Sequence, residues 1–118
     1  MPTSKPFDHY EIRINGGNTG RIGLLLCYRG SAFAGRIDFY PEGAALSQDY
    51  LWHPTTIGEY VVLHMPMSRF ESVASTVRLE KPLHLYIDVN RGIGAFTPGH
   101  GYLTTSEREP VGEEEGTP

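Results

Sequence analysis

Arg21-Ile22-Gly23-Leu24-Leu25-Leu26-Cys27-Tyr28-Arg29 is the most apolar run in this chain, closed by arginine at both ends and bracketed by Gly20 and Gly30. A run of this length between turn residues reads as a β-strand covered on both faces. The segments beside it alternate as half-buried strands do. Tyr10, Ile12 and Ile14 share one face of residues 9–14, with His9, Glu11 and Arg13 on the other. Phe33, Gly35, Ile37 and Phe39 share a face of residues 32–40. The loop Asn15-Gly16-Gly17-Asn18-Thr19-Gly20 tolerates positive φ, and Arg29-Gly30-Ser31 makes the second turn. The three segments form an antiparallel meander around the central run.

A one-residue slip would reverse every side chain, so the register matters. Setting Tyr28 opposite Phe33 puts Leu26 on Gly35, Leu24 on Ile37 and Ile22 on Phe39. Ile12 then meets Ile22 and Tyr10 meets Leu24. This predicts one continuous apolar face. The other face is mixed, with charged rows around Arg13, Arg21, Glu11, Asp38 and Arg36 and an apolar end at Leu25, Cys27 and Ala34. That second face needs cover.

Residues 41–58 lack periodicity and read as a long loop or a short helical turn pinned by Trp52, the length at which loops are often functional. Residues 59–65 alternate as a strand. Ser68 and Glu71 have capping-box spacing, and Phe70, Val73, Ala74 and Val77 form an apolar stripe, predicting one helix at about 69–79. Residues 83–89 form a strand with Leu83, Leu85, Ile87 and Val89 inward. Asn90-Arg91-Gly92 turns into a short strand at 93–97, and Pro98-Gly99-His100-Gly101 breaks the pattern. The expected fold is α+β, a mostly antiparallel sheet in the order β-β-β-loop-β-α-β-β with the helix packed on it. If the strands flanking the helix are neighbours, they run parallel. A small β-sandwich, or a partly open barrel plugged by the helix, is the alternative.

Charge divides the chain. Residues 1–103 carry nine Lys and Arg against nine Asp and Glu, whereas in residues 104–118 five Glu face Arg108 alone. We therefore expect one globular domain at 1–103 and a disordered acidic tail at 104–118. A neutral body argues against nucleic-acid binding, which needs a basic footprint. No run approaches the ~20 apolar residues of a membrane helix. Cys27 is the only cysteine and Met1 to Asp8 is polar, so the expectation is a soluble cytoplasmic protein with no secretory signal.

No motif specifies an activity, but several places could carry chemistry. His64 and His84 would reach one polar face if the strands flanking the helix are adjacent, with Asp88 further along. Such a set could act as acid–base groups or hold a metal with open positions, but the spacing matches no ligand motif, so no metal or cofactor is predicted. Glu11 and Asp38 flank a notch at Gly23, where a surface lattice of ion pairs with arginine is the plainer reading. The glycine loop precedes a strand rather than a helix, which removes the phosphate-cradle reading. Cys27, mid-strand, reads as core. The remaining signal is apolar surface: Leu25, Tyr40, Trp52, Tyr60 and Tyr86 are the candidate binding residues. The expected function is a non-enzymatic binding or protein-interaction module that self-associates, as a homodimer with the charged rows at its rim or with another protein. The alternative is a small metal-dependent or acid–base enzyme using His64, His84 and Asp88.

Overall fold

The structure is a computed structural model that describes residues 2–15, 20–52, 58–89 and 96–105. Its strands are β1 (Pro2–Phe7), β2 (His9–Ile14), β3 (Gly23–Arg29), β4 (Ala32–Tyr40), β5 (Asp49–Trp52), β6 (Tyr60–Pro66), β7 (Leu83–Val89) and β8 (Phe96–Thr105). A 3₁₀ turn at Met67–Arg69 leads into α1 (Phe70–Leu79). The sheet order is β1-β7-β8-β5-β6-β4-β3-β2. β4 and β6 run parallel, and the other pairings are antiparallel. Among the described residues the result is a mixed, nearly closed, barrel-like sheet with one α-helix, in place of the expected mostly antiparallel sheet. The partly open barrel is the alternative that fits.

Closure comes from the N-terminal segment. β1 pairs with β7 at one end of the sheet, and β2 pairs with β3 at the other. Only Asp8 separates them, so one segment joins both edges. Its backbone N–H donates to the Tyr28 carbonyl at 2.9 Å, and its Oδ1 accepts from the Gly30 N–H at 2.9 Å. The polar, proline-bearing start of the chain gave no strand signal, and β1 was not anticipated.

The meander is present, with one slip. Tyr28 does lie opposite Phe33, but Cys27 pairs with Gly35, Leu25 with Ile37 and Gly23 with Phe39. Two residues of β4, Ala34 and Gly35, fill the step, a bulge that turns Phe33 outward. Leu25 and Cys27 consequently join the interior at 1% and 0% exposure, with Ala34 beside them. The supposed second apolar face is therefore the core, and Leu25 lies inside rather than on a binding surface. Ile12 now opposes Leu25 and Tyr10 opposes Cys27.

Across the interior, Leu25, Ile37, Leu63, Leu85 and Ile87 form the core with Phe39 and Val61. Gly35 has φ +154°, and a Cβ there would strike the Val61 carbonyl and come within 2.7 Å of Leu85 Cδ1. Its bare backbone lets opposite walls touch. α1 buries Val73, Ala74 and Val77, the two valines joining this core, and the Phe70 ring meets Phe39 edge-on at 5.2 Å. The helix boundaries match the stripe, but the capping box does not form. Arg69 is the N-cap without a side-chain bond, and Glu42 instead accepts the Ser68 N–H at 2.9 Å.

The second half of the chain differs from expectation at two places. The 41–58 segment contains β5, which inserts between β6 and β8. Residues 98–101 do not interrupt a strand but lie within β8, where Gly101 has no side chain because Leu63 Cδ2 occupies that space. The turn expected at 90–92, the start of the 93–97 strand and residues 106–118 of the expected tail lie outside the described residues, while Thr104 and Thr105 belong to β8.

Candidate functional site

Alternation along β4, β6 and β5 sends Ile37, Val61, Leu63 and Leu51 inward. It sends Arg36, Asp38, Tyr60, Val62, His64, Tyr50 and Trp52 to the outer face. Cross-strand pairing orders these into rows: Tyr60 beside Trp52, then Arg36, Val62 and Tyr50, then Asp38 beside His64.

The last row is a buried polar cluster. Asp38 is 2% exposed, although it is on the outer wall. Arg36 Nε donates to its two oxygens at 2.9 and 3.2 Å. Arg21 Nη1 lies 3.6 Å away and His64 Nε2 4.0 Å away. A buried carboxylate needs such partners, because losing water costs more than one exposed ion pair returns. Burial works against the charge on Arg36, but the charge and hydrogen bonds of Asp38 outweigh it, so its pKa lies above the ordinary arginine value. Arg36 Nη2 also donates to Tyr50 Oη at 3.4 Å. Burial raises the Tyr50 phenol above its usual range, against the pull of Arg36.

Asp49 completes the base of the cluster. β5 starts there, leaving β6 and β8 without a strand between them, and its carboxylate spans the gap. It accepts from the His64 N–H at 2.8 Å and the Gly101 N–H at 3.3 Å. His64 Nδ1 lies 3.5 Å from Asp49 Oδ1 without a hydrogen bond. The His64 ring sits between Tyr40 and Tyr50, 5.9 Å from each centroid, with its side chain 5% exposed.

Above the cluster runs a row of rings. Tyr28 and Phe33 are 5.5 Å apart, Phe33 and Tyr60 4.8 Å, and Tyr60 and Trp52 6.4 Å. All four are half-buried. The bulge at Ala34 makes the row continuous, since regular alternation would have turned Phe33 into the core. Tyr40, Trp52 and Tyr60, expected as binding residues, belong to this face. Tyr86 does not: it stacks on Tyr102 at 4.7 Å, on the outside of β7 and β8. A shallow pocket of about 450 Å³ lies there, lined by Gln48, Asp88 and His100 as well.

His64, His84 and Asp88 are not brought together. β6 and β7 have β5 and β8 between them, so the adjacency that would unite the two histidines is absent. Among the described residues no group of His, Cys, Asp and Glu is arranged to hold a metal ion. Asp38 and Glu11 are also separated. Glu11 accepts from Arg13 Nε at 2.8 Å on its own strand, while Asp38 is buried with Arg21 and Arg36. Cys27 is buried, and that burial raises its thiol pKa.

Sequence reasoning missed Asp49, Tyr50 and the burial of Asp38. The available signal was Arg36-Ile37-Asp38, a charged pair two residues apart that shares one face of an otherwise apolar strand. Among the described residues, no helix is long and apolar enough to cross a membrane. No family profile, curated protein or solved structure matches the chain.

Proposed function

We propose that this chain is a non-enzymatic binding module, and that its recognition surface is the outer face of β4, β6 and β5. One observation carries this reading: Tyr28, Phe33, Tyr60 and Trp52 pack on one another in series, yet remain half-open to solvent. Rigid rings with few rotatable bonds offer large contact area at low entropic cost, and such residues with arginine dominate interface energetics. Arg36 lies at the centre of the face, held by Asp38 and Tyr50, so little of its freedom remains to be lost on binding. The cluster beneath is support rather than catalytic machinery, because Asp38 and the His64 ring are closed to solvent. The partner class proposed is a protein surface. The neutral body offers no basic footprint for nucleic acid. A reducing cytoplasmic setting belongs to the same proposal and keeps Cys27 a buried thiol.

The test is site-specific photo-crosslinking in the native cell, with the photoreactive residue at Tyr60 or, for comparison, at Glu11 outside the face. A discrete protein adduct at Tyr60 that disappears in Arg36→Glu supports the reading. Adducts that are absent at Tyr60, or are equal at both sites and insensitive to Arg36→Glu, overturn it.

A further inference from the structure

β2 ends the sheet, and among the described residues no strand pairs with its outer edge. All six of its residues are exposed, including Tyr10 and Ile12 at 37% and Ile14 at 60%. The Asn15 N–H donates to the Ile22 carbonyl directly opposite, at 2.8 Å. In an antiparallel ladder the bonded pairs alternate, so His9, Glu11 and Arg13 also direct their backbone groups at β3. The N–H and C=O of Tyr10, Ile12 and Ile14 consequently face outward along the free edge.

We infer that this edge pairs with the same edge of a second copy, antiparallel, with Ile12 on the two-fold axis. Only residues with outward backbone groups can form bonded pairs, which restricts the register to even-numbered residues opposite even-numbered ones. Centring on Ile12 pairs Ile12 with Ile12 and Tyr10 with Ile14 twice, so all three residues of each copy bond. The same register sets Glu11 of each copy opposite Arg13 of the other on the outer face. Centring on Glu11 would oppose two carboxylates, and centring on Arg13 would oppose two guanidiniums. Charge and hydrogen bonding thus choose one register. In the single chain, Glu11 and Arg13 already hold each other, with Arg13 Nε 2.8 Å from Glu11 Oε2. Pairing would close these into a ring of four alternating charges.

The apolar side matches as well. Beside Tyr10 opens a cavity of about 500 Å³, lined by Phe7, Val77, Leu79 and Leu83 among others, and Leu79 is 75% exposed. Ile14 of the second copy lies opposite Tyr10 in this register, at the cavity mouth. An exposed edge strand with an apolar row usually carries a device against such pairing, such as proline or an inward charge. β2 has neither: its charges face outward and complement themselves. This surface is separate from the aromatic face and does not depend on that reading.

Sedimentation of the full chain from micromolar to millimolar concentration tests the inference. A reversible monomer–dimer equilibrium is expected. Arg13→Glu or Glu11→Arg alone should raise the dissociation constant about tenfold or more, since two cross-strand pairs become repulsive together. The double exchange Glu11→Arg with Arg13→Glu should restore association, and an equimolar mixture of the two single variants should associate where neither does alone. Ile12→Cys should oxidise to a covalent dimer, because bonded pairs bring Cα atoms to about 5.5 Å, within disulfide reach. Tyr10→Cys, displaced from the axis, should not. A chain monomeric throughout, a dimer indifferent to the reversals, or equal cross-linking at Tyr10 and Ile12 would each overturn the proposal, the last two pointing to another interface. Unchanged circular dichroism in the charge variants keeps misfolding from imitating the expected result.

Discussion

Asp8 shows how much of this fold depends on single polar side chains at bends. Its carboxylate accepts the Gly30 N–H and a 2.7 Å hydrogen bond from His9 Nδ1, and its own N–H holds Tyr28. The Gly30 bond first and the His9 bond second lower its pKa below the ordinary 3.8. The folded state therefore binds the Asp8 proton less readily than the unfolded chain does. Whatever the carboxylate contributes is fully present above the ordinary value and fades as pH falls through the lower folded one. Asp8→Ala should melt below the parent at neutral pH, and the two melting curves should converge as pH falls below the ordinary carboxylate value of 3.8. A gap that stays constant down to the acid limit would mean that only the shape of the bend matters. Gly35 is the apolar counterpart: it has no side chain because two walls of the barrel meet over it.

Among the elements, α1 combines a face written in its residues with a start imposed from elsewhere. Val73, Ala74 and Val77 are buried as their spacing demands, but Phe70 is only half-buried at the end of the stripe. Phe70→Ala should accordingly cost about 2–3 kcal/mol by chemical denaturation, below the ~3–5 kcal/mol of a fully enclosed ring. A cost under about 1 kcal/mol would show that the edge-on contact with Phe39 contributes little beyond its area. Ser68 followed by Glu71 has the spacing of a reciprocal cap, yet the first turn is 3₁₀ and its N–H is taken by Glu42, just past the end of β4, the strand that pairs with β6. The Ser68 bonds draw the Glu42 carboxyl below its usual range. Local spacing proposes a cap, and a better-placed acceptor elsewhere in the chain can replace it.

In the whole molecule, the two ends of the sheet differ from its centre. β4 and β6 are flanked on both sides and have walls of buried residues, whereas β2 is exposed along its full length. Native-state hydrogen exchange should reflect this. The amides of Tyr10, Ile12 and Ile14 should exchange first in dilute solution, and those of Ile37, Val61 and Leu63 last, near the global unfolding limit. Early exchange in β4 or β6 would contradict the central position assigned to their parallel pair.

The strand at residues 23–29, its two neighbours, the apolar stripe of α1 and the burial of Cys27 are legible in the residues alone, because each rests on a period of two or 3.6 that packing preserves. The candidate face was legible only in part. Tyr40 and Tyr60 stood out as aromatics on alternating strands and Trp52 as the anchor of an aperiodic loop, but nothing local could bring them together. Four features belong to the tertiary structure. The bulge at Ala34 is a feature of how β3 and β4 pair, and no turn signal announces it. β1 forms because β7 offers it an edge, despite two prolines and a polar composition. Asp38 is buried because Arg21 and His64, from other stretches of the chain, close over it beside Arg36 of its own strand. His64 and His84, which look equivalent along the chain, are kept apart because β5 and β8 insert between their strands. Periodicity is a property of neighbours in sequence, whereas barrel closure and strand order are set by contacts between distant segments, which one chain read in order does not contain.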